Sequence, residues 1–322
     1  MANKVRCYEK VVNTLEITKE QWLMERKKGI GGSDIGALMG VNTYSSPFMV
    51  FIDKTTDYNK DLSENEAVYW GTTLEEIVAK EFEKRTGKKV RRLNAMLKST
   101  EIPYALADVD RMIVGEDAGL ECKTTNAFNT SEWKDDEIPA SYICQCQWYM
   151  YVTGCPKWYI ACLIGGQRFV WKEVQRDDEI IKYMVEVATT FWENNVLKGD
   201  APAIDGSDNC TEYIKEHYPE DNGCEVRFTS DISALVENLY QVKRQKKELC
   251  TQELDLENRI KQYLGEAQCG INENYKVVWK TQRGKPKFDL DKLVKDYNVT
   301  NLSKYYEETT IRKFSVKENK GE

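Results

Sequence analysis

Ala107-Asp108-Val109-Asp110-Arg111-Met112-Ile113-Val114, followed after a turn by Gly119-Leu120-Glu121-Cys122-Lys123-Thr124, is the stretch on which the fold turns. Both segments are apolar runs interrupted by single charges, as expected of two adjacent strands joined by a hairpin. Side chains alternate across an extended strand, so Glu121 and Lys123 share one face while Cys122 points into the opposite, buried layer. The hairpin brings Asp110 up beside Glu121. Two carboxylates converging on one point repel and raise each other's pKa unless a cation lies between them, and a hard oxygen-ligand site suits Mg²⁺ or Mn²⁺. A lysine beside them can orient an attacking water or stabilise negative charge on a phosphate. The spacing D-x(10)-E-x-K also arises from charged residues on the solvent face of an ordinary hairpin, so its meaning depends on what flanks it.

On the N-terminal side, the segment from Glu66 to Arg85 sets Leu74, Ile77, Val78 and Phe82 at helical spacing, and Gly87 ends it. Glu75 lies on the side that carries Val78 and Phe82; it either turns inward as a third carboxylate or stays exposed, as its neighbour Glu76 is expected to be. On the C-terminal side, a helix over Ser141–Val152 places Gln145 and Tyr149 at i and i+4 on one face. A glutamine in an otherwise apolar helix needs a hydrogen-bond partner. Further out, Thr18 N-caps a short helix through Trp22 and Leu23, the turn Gly29-Ile30-Gly31-Gly32 follows, and Ser33 caps the next helix. Strands are expected around Val90–Leu97, Tyr104–Val114, Gly119–Thr124, Trp158–Ile164 and Arg168–Val174, with a closing helix over Asp177–Leu197. Helices alternating with strands imply a layered α/β fold.

Composition narrows the chemistry. The chain has 322 residues, 41% of them hydrophobic, enough for a sizeable core. It shows no run of about 18 apolar residues, and its opening MANKVRCYEK has no apolar leader, so a soluble intracellular protein without a membrane segment is expected. The ten cysteines include no CxxC pair and read as reduced thiols, with Cys144 and Cys146 packing in a helix core. A net charge of −7 argues against a surface coated in cations but does not exclude nucleic acid, because what matters is where the cations sit. Local basic clusters occur at Lys88, Lys89, Arg91 and Arg92, at Lys243, Arg244, Lys246 and Lys247, and at Lys280, Arg283, Lys285 and Lys287. The second of these, on a long helix, is expected to touch DNA or a partner, unless it is simply a solvated face. The single histidine, His217, lies far from any nucleophile motif, which excludes a His-based nuclease, an HExxH zinc site and a His-centred triad. Hydrolysis here has to run on carboxylates.

Residues 1–200 read as one domain, 201–230, mixed in Pro, Gly, Asp and Asn, as a linker or irregular loop, and 231–322 as a C-terminal appendage. In the last part Leu235, Leu239, Val242, Leu249, Leu254, Ile260 and Leu264 mark a long helix over Ile232–Ala267, a helical hairpin or coiled-coil arm, with short strands near Tyr275–Lys280 and Thr310–Val316.

The order Glu75, Val109-Asp110, Glu121-Cys122-Lys123, Gln145-x-x-x-Tyr149 resembles the RecB-like branch of the PD-(D/E)xK nucleases, and within it the YqaJ viral recombinase family, related to phage lambda exonuclease. Three further stretches carry the resemblance: Glu25-Arg26-Lys27-Lys28-Gly29-Ile30-Gly31-Gly32-Ser33-Asp34, Trp70-Gly71-Thr72-Thr73-Leu74-Glu75 and Gln145-Cys146-Gln147-Trp148-Tyr149-Met150-Tyr151-Val152-Thr153-Gly154. It covers residues 20–200 or so. What it implies is a mixed sheet flanked by helices and a Mg²⁺-dependent exonuclease digesting linear double-stranded DNA from 5′ ends. It further implies a single-strand annealing partner of the RecT/Red-beta type, a homo-oligomer such as the trimeric ring of the lambda relative, and a place in the cytoplasm of a bacterial host as a phage or prophage product. By position, Glu75, Asp110, Glu121 and the backbone carbonyl of Cys122 take the metal-ligand roles, Lys123 that of the catalytic lysine and Gln145 that of the nearby glutamine, with Tyr149 in support. Arg26 and Ser33 take the 5′-phosphate positions, where a helix start and a guanidinium both attract an anion. Two departures stand out: Val109 replaces the proline of the PD pair, and Arg111 stands where glycine is common. Asp108 is a second carboxylate competing with Asp110 for the ligand role. An endonuclease of the same fold and a non-catalytic DNA-binding or assembly protein are the alternatives.

Overall fold

A computed structural model describes residues 7–58, 64–284, 288–297, 301–302, 306 and 313–316. Its centre is a five-stranded mixed sheet of β2 (Val90–Arg91), β5 (Arg111–Ile113), β6 (Ala118–Thr125), β7 (Lys157–Ile164) and β8 (Arg168–Gln175), adjacent in that order. Only β6 and β7 run parallel. A second, antiparallel sheet places β3 (Ala95–Ser99) between β1 (Tyr8–Asn13) and β4 (Leu106–Ala107). This is the layered α/β architecture expected from the alternating pattern.

Two runs read as single strands each supply both sheets. Val90–Leu97 divides into β2 and β3 around Asn94, whose φ of 50° turns the chain. Tyr104–Val114 divides into β4 and β5, leaving Asp108-Val109-Asp110 between the sheets. Here side-chain hydrogen bonds replace the ladder: Trp22 Nε1 donates to Asp108 Oδ2 at 2.6 Å and Cys122 N–H to Asp110 Oδ2 at 2.7 Å. Local side-chain bonding of this kind competes with strand pairing. The break puts both aspartates at the seam of the two sheets.

Helices cover the sheets. Helix α1 (Lys19–Lys27) opens on a Thr18/Gln21 capping box, as its sequence signals. Helix α2 (Gly32–Leu38) is capped by Gly31 and not by Ser33, which is the helix's second residue; Asp34 at its third position accepts the Gly31 N–H at 2.9 Å. Helix α3 (Pro47–Thr55) carries the buried Lys54, and α4 (Glu66–Thr86) ends on Gly87 in the left-handed region, φ 72°. Helix α5 (Ala140–Thr153) is almost wholly buried, including Cys144 and Cys146, and α6 (Asp178–Phe191) closes the layer. The chain separates into two compact units, 1–217 and 218–322. Residues 201–230, expected to be irregular, instead contain α7 (Asp208–His217), which belongs to the first unit: Cys210 is buried against Ser46, and Tyr213 meets the edges of Phe48 and Tyr58.

In the second unit α8 (Ser230–Leu264) is one uninterrupted helix and not a hairpin, followed by paired strands β9 (Cys269–Ile271) and β10 (Lys276–Val278) and by α9 (Leu290–Asp296). The basic positions Lys285 and Lys287, and the start of the strand expected at Thr310–Val316, lie outside the described residues. Among the described residues no helix is long and apolar enough to cross a membrane.

Candidate active site

A cavity of about 510 Å³ opens at the seam between the two sheets and is walled by Arg26, Ser33, Glu75, Asp108, Asp110, Glu121, Gln145 and Tyr149, among others. Residues as far apart in sequence as Arg26 and Tyr149 thus meet at one point. Strand β6 delivers Glu121, and Lys123 two residues on reaches back along the same face, Nζ 2.6 Å from Glu121 Oε1. Pairing of Arg111 with Leu120 sets the preceding Asp110 level with Glu121. Helix α5 supplies Gln145, whose Nε2 donates to Glu121 Oε1 at 2.7 Å and to the Tyr149 hydroxyl at 2.9 Å. The Tyr149 hydroxyl in turn donates a hydrogen bond to the Asp108 carbonyl at 2.9 Å. The glutamine thus has the partner its apolar surroundings demand.

Asp108 and Asp110 are distinguished by their bonds. Asp108 is occupied by Trp22, whereas Asp110 shares the neighbourhood of Glu121 and Lys123. Burial pushes the Asp110 carboxyl well above the usual carboxylate range, and the charges of Glu121 and Glu75 push it further. Burial likewise raises Glu121, against the pull of Lys123. For Lys123 burial disfavours the charge, but Glu121 and Asp110 outweigh it and hold the ammonium above the ordinary lysine range. Glu121 is only 3% exposed, and its Oε2 is buried without a hydrogen-bond partner. A buried, unpaired carboxylate oxygen beside a second crowded carboxylate fits the chemistry of a hard divalent cation.

The third carboxylate is held differently. Glu75 does face the cavity from α4, but its Oε1 is 2.5 Å from Arg111 Nη1 and 3.6 Å from Arg92. Glu76, expected to be simply exposed, takes the other Arg111 nitrogen at 2.9 Å and Arg92 at 3.2 Å. Accordingly, no three acidic, histidine or cysteine side chains among the described residues stand close enough to hold an ion. Asp110 and Glu121 suit a divalent cation as they stand, and Glu75 joins them only by leaving Arg111. Arg111 is the residue sequence reasoning undervalued: it is 3% exposed, and an arginine buried to that degree needs carboxylate partners, which the pair Glu75-Glu76, three positions before the buried Val78 and Ala79, could have suggested.

Arg26 lies across the cavity. Its guanidinium stacks over Trp22 at 4.8 Å and donates to Ser33 Oγ at 3.0 Å, bringing together the two predicted phosphate residues. The fully buried Lys54 side chain fixes this corner by donating to the Arg26 carbonyl at 3.1 Å and pairing with Asp34 at 2.8 Å. Burial alone would raise Asp34; Lys54 and Arg26 together hold it below its usual value. Because Asp34 already occupies the Gly31 N–H, the start of the seven-residue α2 offers an anion less than its sequence implied.

Gly32 lets α2 close onto this machinery. A Cβ there would stand 2.6 Å from Tyr149 Cε1 and 2.9 Å from Gln145 Cγ, whereas one at Gly36, on the same helix, would meet Ser141 at 3.5 Å. Gly32→Ala is therefore expected to destabilise the protein by about 1–3 kcal/mol through overpacking. Gly36→Ala should be neutral or slightly stabilising, since alanine favours a helix by roughly 1 kcal/mol over glycine. Thermal melts of the two variants check this contrast; equal melting temperatures would mean that α2 and α5 are not so closely packed.

Comparison with known proteins places this sequence in a family. The profile of the YqaJ-like viral recombinase domain matches residues 21–156, which include Glu75, Asp110, Glu121, Lys123 and Gln145. The Bacillus subtilis (strain 168) protein described as "Uncharacterized protein YqaJ" is 45% identical over 313 residues, spanning 96% of this chain and 98% of its own. Among solved structures, an alkaline exonuclease from Laribacter hongkongensis is 18% identical, with 62% of this chain and 98% of that one covered and a TM-score of 0.47. A phage related exonuclease from Haemophilus somnus 129PT is 16% identical, with coverage of 53% and 96% and a TM-score of 0.41. The near-full-length identity and the domain match agree: the chain belongs to the YqaJ-like viral recombinase family.

Proposed function

We propose that this protein is a divalent-metal-dependent deoxyribonuclease, an exonuclease that degrades linear double-stranded DNA 5′ to 3′ and exposes 3′ single strands for phage-type recombination. The observation that carries the reading is the convergence of Asp110 and Glu121 in the wall of one open cavity, with Glu121 Oε2 unpartnered and Lys123 ion-paired to Glu121 Oε1. Family membership supports it, and so does the absence of any histidine in the cavity wall, which leaves carboxylate chemistry as the route. Asp110, Glu121 and the Cys122 carbonyl are the proposed ligands for Mg²⁺, or for Mn²⁺ in its place, with Glu75 joining when Arg111 rests on Glu76 alone. The chemistry such a cation supplies when bound is Lewis acidity toward a phosphoryl oxygen and acidification of water.

The protein's own groups do the rest. Lys123, kept protonated by Glu121 and Asp110, places a positive charge where a pentavalent phosphate gathers negative charge. Gln145 ties Glu121 to Tyr149 and through it to the Asp108 carbonyl, fixing the carboxylate's direction before substrate arrives. Arg26, with Ser33, grips the terminal 5′ phosphate and so sets the polarity of digestion. Guanidinium is a permanently charged bidentate donor suited to a phosphate dianion. Arg26→Ala should lose the preference for 5′-phosphate over 5′-hydroxyl ends by on the order of tenfold or more while keeping its metal requirement. Competition assays on the two kinds of end check this, and an unchanged preference would remove Arg26 from the role.

Action in concert with a single-strand annealing protein, and assembly into a homo-oligomer, complete the proposal. The exonuclease reading is tested by offering linear and covalently closed circular duplex in parallel. Release of nucleotides from linear DNA with closed circles left intact supports it. Nicking of both at similar rates would instead identify an endonuclease built on the same site.

A further inference from the structure

The second unit has almost no core of its own: among the described residues of 218–322, Leu264 is the sole buried one. Yet α8 is 35 residues long and far from uniformly polar. Leu235, Val242, Leu249, Leu256 and Tyr263 recur every seven residues, and each is between 56% and 92% exposed. Three positions before each of them stand Ile232, Leu239, Lys246, Glu253 and Ile260. These two rows are the a and d positions of a coiled-coil seam sustained for more than four heptads, and a helix of this kind is stable in water chiefly through what covers its apolar stripe.

We propose that the α8 seam docks on the same seam of a second copy of this chain, with the two helices antiparallel. The charges within the seam choose the orientation. In a parallel pair Lys246 meets Lys246 and Glu253 meets Glu253, each a like-charge contact inside the interface. In an antiparallel pair, aligned so that Ile232 faces Tyr263, the layers continue as Leu235 with Ile260, Leu239 with Leu256, Val242 with Glu253 and Lys246 with Leu249, and then repeat in reverse. Every seam residue is used. Lys246 of one copy then lies about one helical turn, roughly 6 Å along the axis, from Glu253 of the other, and the symmetry makes this contact twice. The antiparallel arrangement is thus self-complementary in shape, length and charge.

Sedimentation of the full-length protein over a range of concentrations tests this with three variants. The account expects reversible self-association that Leu249→Glu abolishes and that Lys246→Glu weakens by roughly tenfold, because attraction at two symmetric contacts becomes repulsion. The double variant Lys246→Glu/Glu253→Lys should recover wild-type association, since the cross-copy pairs are again opposite in sign. All three positions are exposed on the surface of α8, so the substitutions disturb no packing among the described residues. Association untouched by Leu249→Glu would overturn the proposal and leave the seam to the chain's own C-terminal segment or to an unrelated partner. Failure of the double variant to recover would overturn the antiparallel pairing.

Discussion

Lys123→Ala and Glu121→Gln should each lower DNA cleavage by on the order of a thousandfold or more while leaving duplex affinity nearly unchanged. The two side chains share a strand face and an ion pair of 2.6 Å, with Glu121 buried in the cavity wall and Lys123 partly buried behind it. Their contribution therefore belongs to the transition state, and a loss confined to turnover is its signature. Glu121→Gln keeps the size and the hydrogen bond from Gln145 within reach, so loss of activity in that variant reports the charge and not a collapse of packing. Wild-type turnover by either variant across a Mg²⁺ titration would show that the site lies elsewhere.

Asp110→Asn should separate stability from activity. In the metal-free protein the Asp110 carboxyl is buried and opposed by Glu121 and Glu75, while its Oδ2 accepts the Cys122 N–H, a bond that an amide oxygen preserves. Removing the charge relieves repulsion without removing the acceptor. The variant is expected to melt higher by several degrees, about 1–2 kcal/mol, while losing cleavage by orders of magnitude. The pH dependence has a definite sign. A carboxyl whose folded pKa lies above its unfolded value favours the fold when protonated, and that stability is lost as pH rises through the folded pKa. The contribution of Asp110 to stability in chelator should therefore fall as pH rises from acid toward neutral, and Asp110→Asn should gain on the wild type over that range. Thermal melts across pH in chelator check both statements; a destabilised variant would contradict the repulsion inferred at this site.

Much of the site was legible in the sequence because it depends on strict periodicities. Two residues per strand repeat put Glu121 and Lys123 together, and 3.6 per helical turn put Gln145 above Tyr149 and Glu75 toward Val78 and Phe82. What escaped was set by contacts between distant segments. Nothing local distinguishes Asp108 from Asp110; Trp22, 86 residues earlier in the chain, does so by bonding one of them. Nor does the hydrophobic pattern reveal that Tyr104–Val114 changes sheet midway, since β4 and β5 are each as apolar as one continuous strand. Ser33 satisfied every local rule for a cap, but Arg26 engaged its hydroxyl and Gly31, two residues earlier, took the position. Arg111 looked like a departure from the family pattern. In the fold it is the counter-charge that holds Glu75 and Glu76 beside the cavity.

The most direct measurement follows nucleotide release from end-labelled linear duplex by the wild-type protein and by Lys123→Ala, with Mg²⁺ and with chelator. The account predicts release by wild type with Mg²⁺ alone, a label on the 5′ end freed first, and no release by the variant under either condition. Cleavage that persists in chelator, or that Lys123→Ala retains, would contradict the carboxylate and lysine site at the seam of the two sheets.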